Sequence, residues 1–324
     1  MRHLAALLLL LAGCSSLSSE ERSRLADHQS NALLYFERGE YGRALDQIER
    51  GLELENDDYK LRSLRAGILL LTSTNSQGTD HKRLDEATTQ LAEQFESRSL
   101  GRHEPHLLLN YARALQKQGL RHLGEAIRLE GQATRAPQDT VADLKQKAVD
   151  ERAESDRCLD ESWQLFGELV NRGELLRVVH NHRLQIALQR NQEKEFLAEA
   201  EAYFKLAVSA TELTRKRIEK TNNIDYEKDQ MRVLRELQTE EVQVRNLVAE
   251  FLYSRKKYHE AKEQLDKVID LDPRRVADYY NRGRVLLELG RVEEAKADFR
   301  RFLADGTVPV TSDKAVFALQ VINR

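Results

Sequence analysis

The chain has 324 residues, a formal net charge of −3, and 40% hydrophobic against 32% charged residues. It is too apolar for a disordered chain and too balanced in charge to argue for a nucleic-acid partner. Its 4 prolines, 15 glycines and 2 cysteines exclude a turn-rich β sandwich and a disulfide framework, which leaves a helical body rich in good helix formers.

The first element is a leader. Met1-Arg2-His3 is basic, and Leu4 to Ala12 is an unbroken apolar run, far short of the ~20 residues that span a bilayer. A short basic stretch before a short apolar one reads as a secretory signal peptide over residues 1–13. The run ends in Leu11-Ala12-Gly13-Cys14, which resembles the lipobox of bacterial lipoproteins. The resemblance implies cleavage after Gly13, lipidation of Cys14 and attachment to a membrane. Ser15 and Ser16 follow in place of Asp, which by that family's sorting rule implies the outer membrane, on its periplasmic face. Residues 14–24 are polar and Ser-rich and read as a tether reaching roughly 15–20 Å.

Residues 25–136 read as helix pairs. Leu25 to Asp58 places Ala32, Tyr35, Gly39, Tyr41, Ala44 and Ile48 at offsets that recur near the C-terminus. In the next unit, from Tyr59, Ala66 and Leu69 stand on the first helix and Ala87 and Leu91 on the second. Ala87 follows Ala44 by 43 residues, the repeat of 34 plus 9, and the surplus is the polar loop Thr72 to His81. A weaker helix pair starts at Pro105, with Tyr111, Ala112, Leu115 and Gly119, then Gly124 to Ile127.

Residues 137–241 carry little repeat signal, yet their apolar residues recur at helical spacing. Leu159, Trp163, Phe166, Leu169 and Val170 form one stripe, and Phe196, Ala200, Tyr203, Phe204 and Ala207 another. The pattern predicts long helices over 140–172, 174–192 and 194–220. Asn222-Asn223 breaks the last, and a fourth runs on from about 225. No heptad is sustained, so a coiled coil is not indicated. The sequence leaves open whether these helices are degenerate repeats or an insertion.

Residues 242–324 hold the strongest signal. Ala249 pairs with Gly283, Leu252 with Leu286, Ala261 with Ala295 and Leu265 with Phe299, each 34 apart, and Pro273 closes the first segment. These residues resemble the tetratricopeptide repeat, with small residues where its two helices touch, an aromatic (Tyr258) in the turn and a proline before the next unit. Arg245 and Tyr279 depart from the family's tryptophan position, and Lys256 from its turn glycine. The resemblance implies an all-α, tetratricopeptide-like helical-hairpin solenoid with long central helices. It also implies a partner groove, carried residue by residue onto Gln29, Leu33, Phe36 and Glu37, then Asn246, Glu250 and Tyr253, then Tyr280, Arg284 and Leu287. The Lys and Asn pairing by which some members clamp a terminal carboxylate is absent at these offsets.

No chemistry stands out. His103 and His106 flank Pro105, and His180 and His182 fall on different sides of a helix, so surface histidines are expected, and neither a metal nor a cofactor site. Cys158 lacks an indicated base and oxyanion site and is expected to be buried. The basic run Arg215 to Lys220 reads as a solvated helix face. The reading is therefore a non-enzymatic scaffold lipoprotein that binds protein or peptide partners in cell-envelope assembly. Outer-membrane protein insertion, pilus or secretion assembly and cell-wall enzyme regulation are the kinds of work the resemblance implies. A structural subunit of an envelope ring or filament is the main alternative, because the oligomeric state is left open. A cell-wall-active enzyme using Glu195 and Glu199 is a weaker one.

Overall fold

The computed structural model describes residues 17–75, 78–96, 104–306 and 308–323. The signal peptide, Cys14 and His103 lie outside the described residues. The described chain is all-α apart from one short hairpin, and it divides into two compact units, Met1–Leu175 and Leu176–Arg324.

The first unit holds α1 (Ser19–Glu37), α2 (Tyr41–Leu54), α3 (Tyr59–Thr72), α4 (His81–Glu96), α5 (Pro105–Ala133) and α6 (Gln138–Arg172). α1 begins inside the segment read as a tether. The reason is a capping box: the Glu21 amide donates to Ser18 Oγ at 3.2 Å, and the Ser18 amide donates to Glu21 Oε2 at 2.8 Å. Two orphan donors of the first turn are thereby satisfied, and the polar SSEE run becomes a helix start. The predicted loop between α3 and α4 contains a two-residue antiparallel hairpin, β1 (Thr74–Asn75) and β2 (Gly78–Thr79).

α1 with α2, and α3 with α4, are antiparallel pairs whose contacts are made by the repeat positions. Ala32, Ala44, Ile48, Ala66, Ala87 and Leu91 are fully buried. The third pair departs from the expectation of a short hairpin over 105–127. Pro105 starts α5, where its missing N–H costs nothing, and the helix then runs unbroken through Gly119 and Gly124. Gly119 is a close-approach position rather than a turn. A Cβ there would lie 2.7 Å from Leu159 Cγ and 3.2 Å from the Ser155 carbonyl oxygen on α6. Ser155 Oγ donates to the Gly119 carbonyl at 2.8 Å, and Ser162 Oγ to that of Ala112 at 2.7 Å. These bonds pin the two long helices along their length.

The second unit holds α7 (Leu176–Gln189), α8 (Glu193–Lys220), α9 (Ile224–Ser254), α10 (Tyr258–Leu271), α11 (Val276–Glu288), α12 (Val292–Leu303) and α13 (Asp313–Ile322). The turns within its pairs share one geometry. Asn191, Lys256 and Gly290 take left-handed φ of 57°, 60° and 72°, as does Gly39 in the first unit at 73°. In each, the left-handed residue and its successor donate back to carbonyls of the preceding helix, as when Gly290 bonds Leu287 and Arg291 bonds Leu286, both at 2.9 Å. The capping satisfies carbonyls the helix end leaves orphaned.

This shared turn aligns α7 and α8 with the clear repeats. Seven residues before it stand Ala32, Ala249 and Gly283, and five after it Ala44, Ala261 and Ala295. In α7 and α8 those positions hold Leu184 and Phe196. The positions that are large elsewhere (Tyr35, Leu252 and Leu286; Ile48, Leu265 and Phe299) hold Ala187 and Ala200. All four side chains of the swapped set are buried. Large and small have exchanged places, so the helices pack as a repeat pair without its sequence pattern.

Candidate partner-binding groove

The first unit has a groove of about 940 Å³ formed by α1, α3 and α5. Its positions are set by the repeat. Ser63 and Gly67 follow Gln29 and Leu33 by 34 residues, and His106 and Asn110 follow Ser63 and Gly67 by 43. The helical rise then brings Leu71 and Arg113 onto the same wall. Leu33 is 50% exposed and Tyr59 49%. Phe36 also lines the groove, and its ring stands 6.0 Å from that of Tyr41. Glu37 is exposed but is not part of the lining. Gln29 is held by Asp58, its Nε2 donating to Oδ2 at 2.6 Å.

Of the residues expected from the sequence, Gln29, Leu33 and Phe36 line this groove, together with Tyr59, Leu71 and Arg113, which the offsets did not name. The missing signal was available for two of the three helices: carrying the α1 offsets forward by 34 and then by 43 reaches α3 and α5. α5 is the harder case, because Gly119 and Gly124 in its sequence look like a turn between two short helices.

In the second unit the predicted groove residues divide. Asn246 Nδ2 donates to Asp278 Oδ1 at 3.0 Å, and Arg275 Nε donates to Asp278 Oδ2 at 2.9 Å. Tyr253 donates to Glu288 at 3.3 Å, and the Arg284 guanidinium lies 4.7 Å from the Tyr253 ring centre. These residues and the exposed Glu250 form a polar surface on α9 and α11. Tyr280 does not belong to it. It is 8% exposed and packs on Phe302 at 5.1 Å and Phe317 at 6.2 Å. Leu287 packs against the same cluster. The final helix α13 covers them because its own apolar face needs burial, a role the repeat offsets alone do not show.

The catalytic alternative loses its carboxylate pair. Glu199 is buried and bonded by His180 Nδ1, and Arg183 Nε stands 2.9 Å from its Oε1. Glu195 is exposed. The Glu199 carboxylate is thus engaged by two side chains of α7, and His180 is not the surface histidine expected. His106 is exposed, and among the described residues no group of three or more His, Cys, Asp or Glu is placed to hold a metal ion. Cys158 is fully buried, and burial pushes its thiol up to about 11. Arg215, Lys216, Arg217 and Lys220 are exposed along α8. Among the described residues no helix is long and apolar enough to cross a membrane.

The tetratricopeptide repeat family matches residues 242–275 and 279–304. The S. pombe nuclear import adaptor Nro1 has a similar fold at 12% identity, over 95% of this chain and 98% of that one, with a TM-score of 0.50. A tetratricopeptide repeat protein from Parabacteroides merdae aligns at 11% identity over 93% of this chain and 100% of its own, with a TM-score of 0.40. No curated protein matches the chain. Residues 242–275 and 279–304 thus match the tetratricopeptide repeat, within a described chain that is built of helical hairpins.

Proposed function

We propose that the protein is a lipid-anchored scaffold that holds a protein or peptide partner during assembly of the bacterial cell envelope. Tetratricopeptide repeats are protein-interaction modules. The observation that carries the reading is the groove on α1, α3 and α5, where Leu33, Tyr59 and Leu71 stand exposed in the lining. Contiguous exposed apolar side chains rimmed by polar ones mark interaction sites. Outer-membrane protein insertion, pilus or secretion assembly and control of cell-wall enzymes are the settings proposed.

The anchor rests on the sequence Leu11-Ala12-Gly13-Cys14. α1 starts at Ser19, inside the segment read as tether, which shortens the link expected between an anchor at Cys14 and the folded body. The body then works close to the bilayer surface. Fractionation tests the anchor: wild type partitions with outer membranes, and Cys14→Ser moves to the soluble periplasmic fraction. Unchanged membrane fractionation of Cys14→Ser would remove the lipoprotein reading.

A further inference from the structure

The groove lining includes the carboxylates of Asp57 and Glu104, yet it also holds a cation that neither of them pairs with. Arg113 stands on α5 in the groove wall, partly buried, among Phe36, Leu64, Leu109 and Asn110. No carboxylate pairs with it among the described residues, and burial alone holds its guanidinium below its ordinary value. The undescribed residues cannot supply an acid side chain, because every Asp and Glu of the chain lies among the described ones. One turn further on, Lys117 Nζ donates only to neutral oxygens: the Leu70 carbonyl at 2.8 Å, Thr74 Oγ1 at 3.1 Å and Ser73 Oγ at 3.3 Å. Burial and the neighbouring Arg113 push that ammonium down as well.

Other guanidiniums of similar burial in this chain are paired. Arg65 is bonded to Glu49 and Glu86, Arg245 to Glu241, and Arg282 to Asp266 and Asp298. A desolvated cation left without an anion is costly. Two of them four residues apart on one helix face add mutual repulsion. An arriving carboxylate would meet a preformed, already desolvated donor.

We propose that the groove takes an apolar peptide segment with an internal acidic side chain, whose carboxylate pairs with Arg113 while its apolar neighbours lie on Leu33, Phe36 and Tyr59. The proposal rests on the reading of the groove as a partner site and names the chemistry of that partner. It does not use a chain-end carboxylate: the charge sits within the wall on α5, flanked by apolar surface, so a residue inside a segment reaches it with contacts on both sides.

The test uses purified full-length protein in detergent, immobilised and offered pools of nonapeptides blocked at both ends. Each pool is randomised over Leu, Phe, Ala and Ser around a central Asp, Asn or Lys, and retained peptides are read by mass spectrometry. Wild type should enrich the Asp pool over the Asn pool about tenfold, as a charge-assisted bond requires. Arg113→Gln should abolish that preference, and Arg113→Glu should transfer it to the Lys pool. Arg113→Met should melt at or above the wild-type temperature, which shows that loss of preference is not loss of fold. Equal retention of the Asp and Asn pools by wild type, or an Asp preference that survives Arg113→Gln, overturns the proposal. So does stronger retention of a pool with a free C-terminus, or retention of no pool. If wild type retains the Asn pool as well as the Asp pool, and Leu33→Asp loses both, the groove still binds a partner and only the acidic pairing falls. Dimerisation of the protein through this face, broken by Leu33→Asp, would also overturn it.

Discussion

Single residues decide where helices touch. Ala261 and Ala295 are fully buried where the two helices of a repeat meet. Gly283 faces Phe299 so closely that a Cβ would lie 2.7 Å from the ring. Ala261→Arg or Ala295→Arg forces volume and a charge into that contact and is expected to cost about 3 kcal/mol or more. The expected drop in melting temperature is read by circular dichroism. Cys158 makes a second prediction. Its thiol is raised from 9.0 to about 11 and shielded by burial, so iodoacetamide at pH 8.5 should modify it only after denaturation. The sign for stability follows: the unfolded thiol ionises first, so its contribution is intact below pH ~9 and declines as pH rises towards 11. These residue-level features were legible because a small residue at a fixed offset, or a thiol with no base near it, has few structural meanings. Tyr280 is the opposite case. Its offset is that of a groove residue, but the partner that covers it, Phe317 on α13, lies outside the repeat pattern.

Helices and their pairs carry most of the fold, and their boundaries followed from apolar spacing and breakers. The predicted helix over 194–220 is observed as α8, Glu193–Lys220, and Asn223 caps α9 through bonds to the amides of Asp225 and Tyr226. What spacing could not show was the register between helices. α7 and α8 form a repeat-like pair with Leu184 and Phe196 exchanged for the small residues and Ala187 and Ala200 for the large ones. Packing depends on the summed volume at a contact, so the exchange keeps the fold while erasing the motif. The long pair of α5 and α6 shows the same limit. Gly119 resembles a turn residue in sequence but serves helix contact. Gly119→Ala should therefore destabilise by about 1–3 kcal/mol through overpacking against Leu159. At an open helical position the same change would stabilise by up to ~1 kcal/mol. Urea denaturation of the variant distinguishes the two signs.

For the whole molecule, the described chain is a set of helical hairpins in two units, each burying its apolar faces against neighbours in sequence. The groove was half legible: the α1 residues were found from the repeat, whereas Arg113 lay on a helix whose continuity the sequence hid. The charge balance that argues against nucleic acid conceals this local imbalance, because net charge sums over the surface and a groove does not. The central claim is that partners engage this groove in cells. A photo-crosslinking amino acid placed at Leu33, and as a control at Val149, an exposed position on α6, tests it directly. A discrete protein adduct is expected from Leu33, absent from Val149 and weakened when Phe36→Asp is added. An identical adduct pattern at both positions, or none at Leu33, would contradict it.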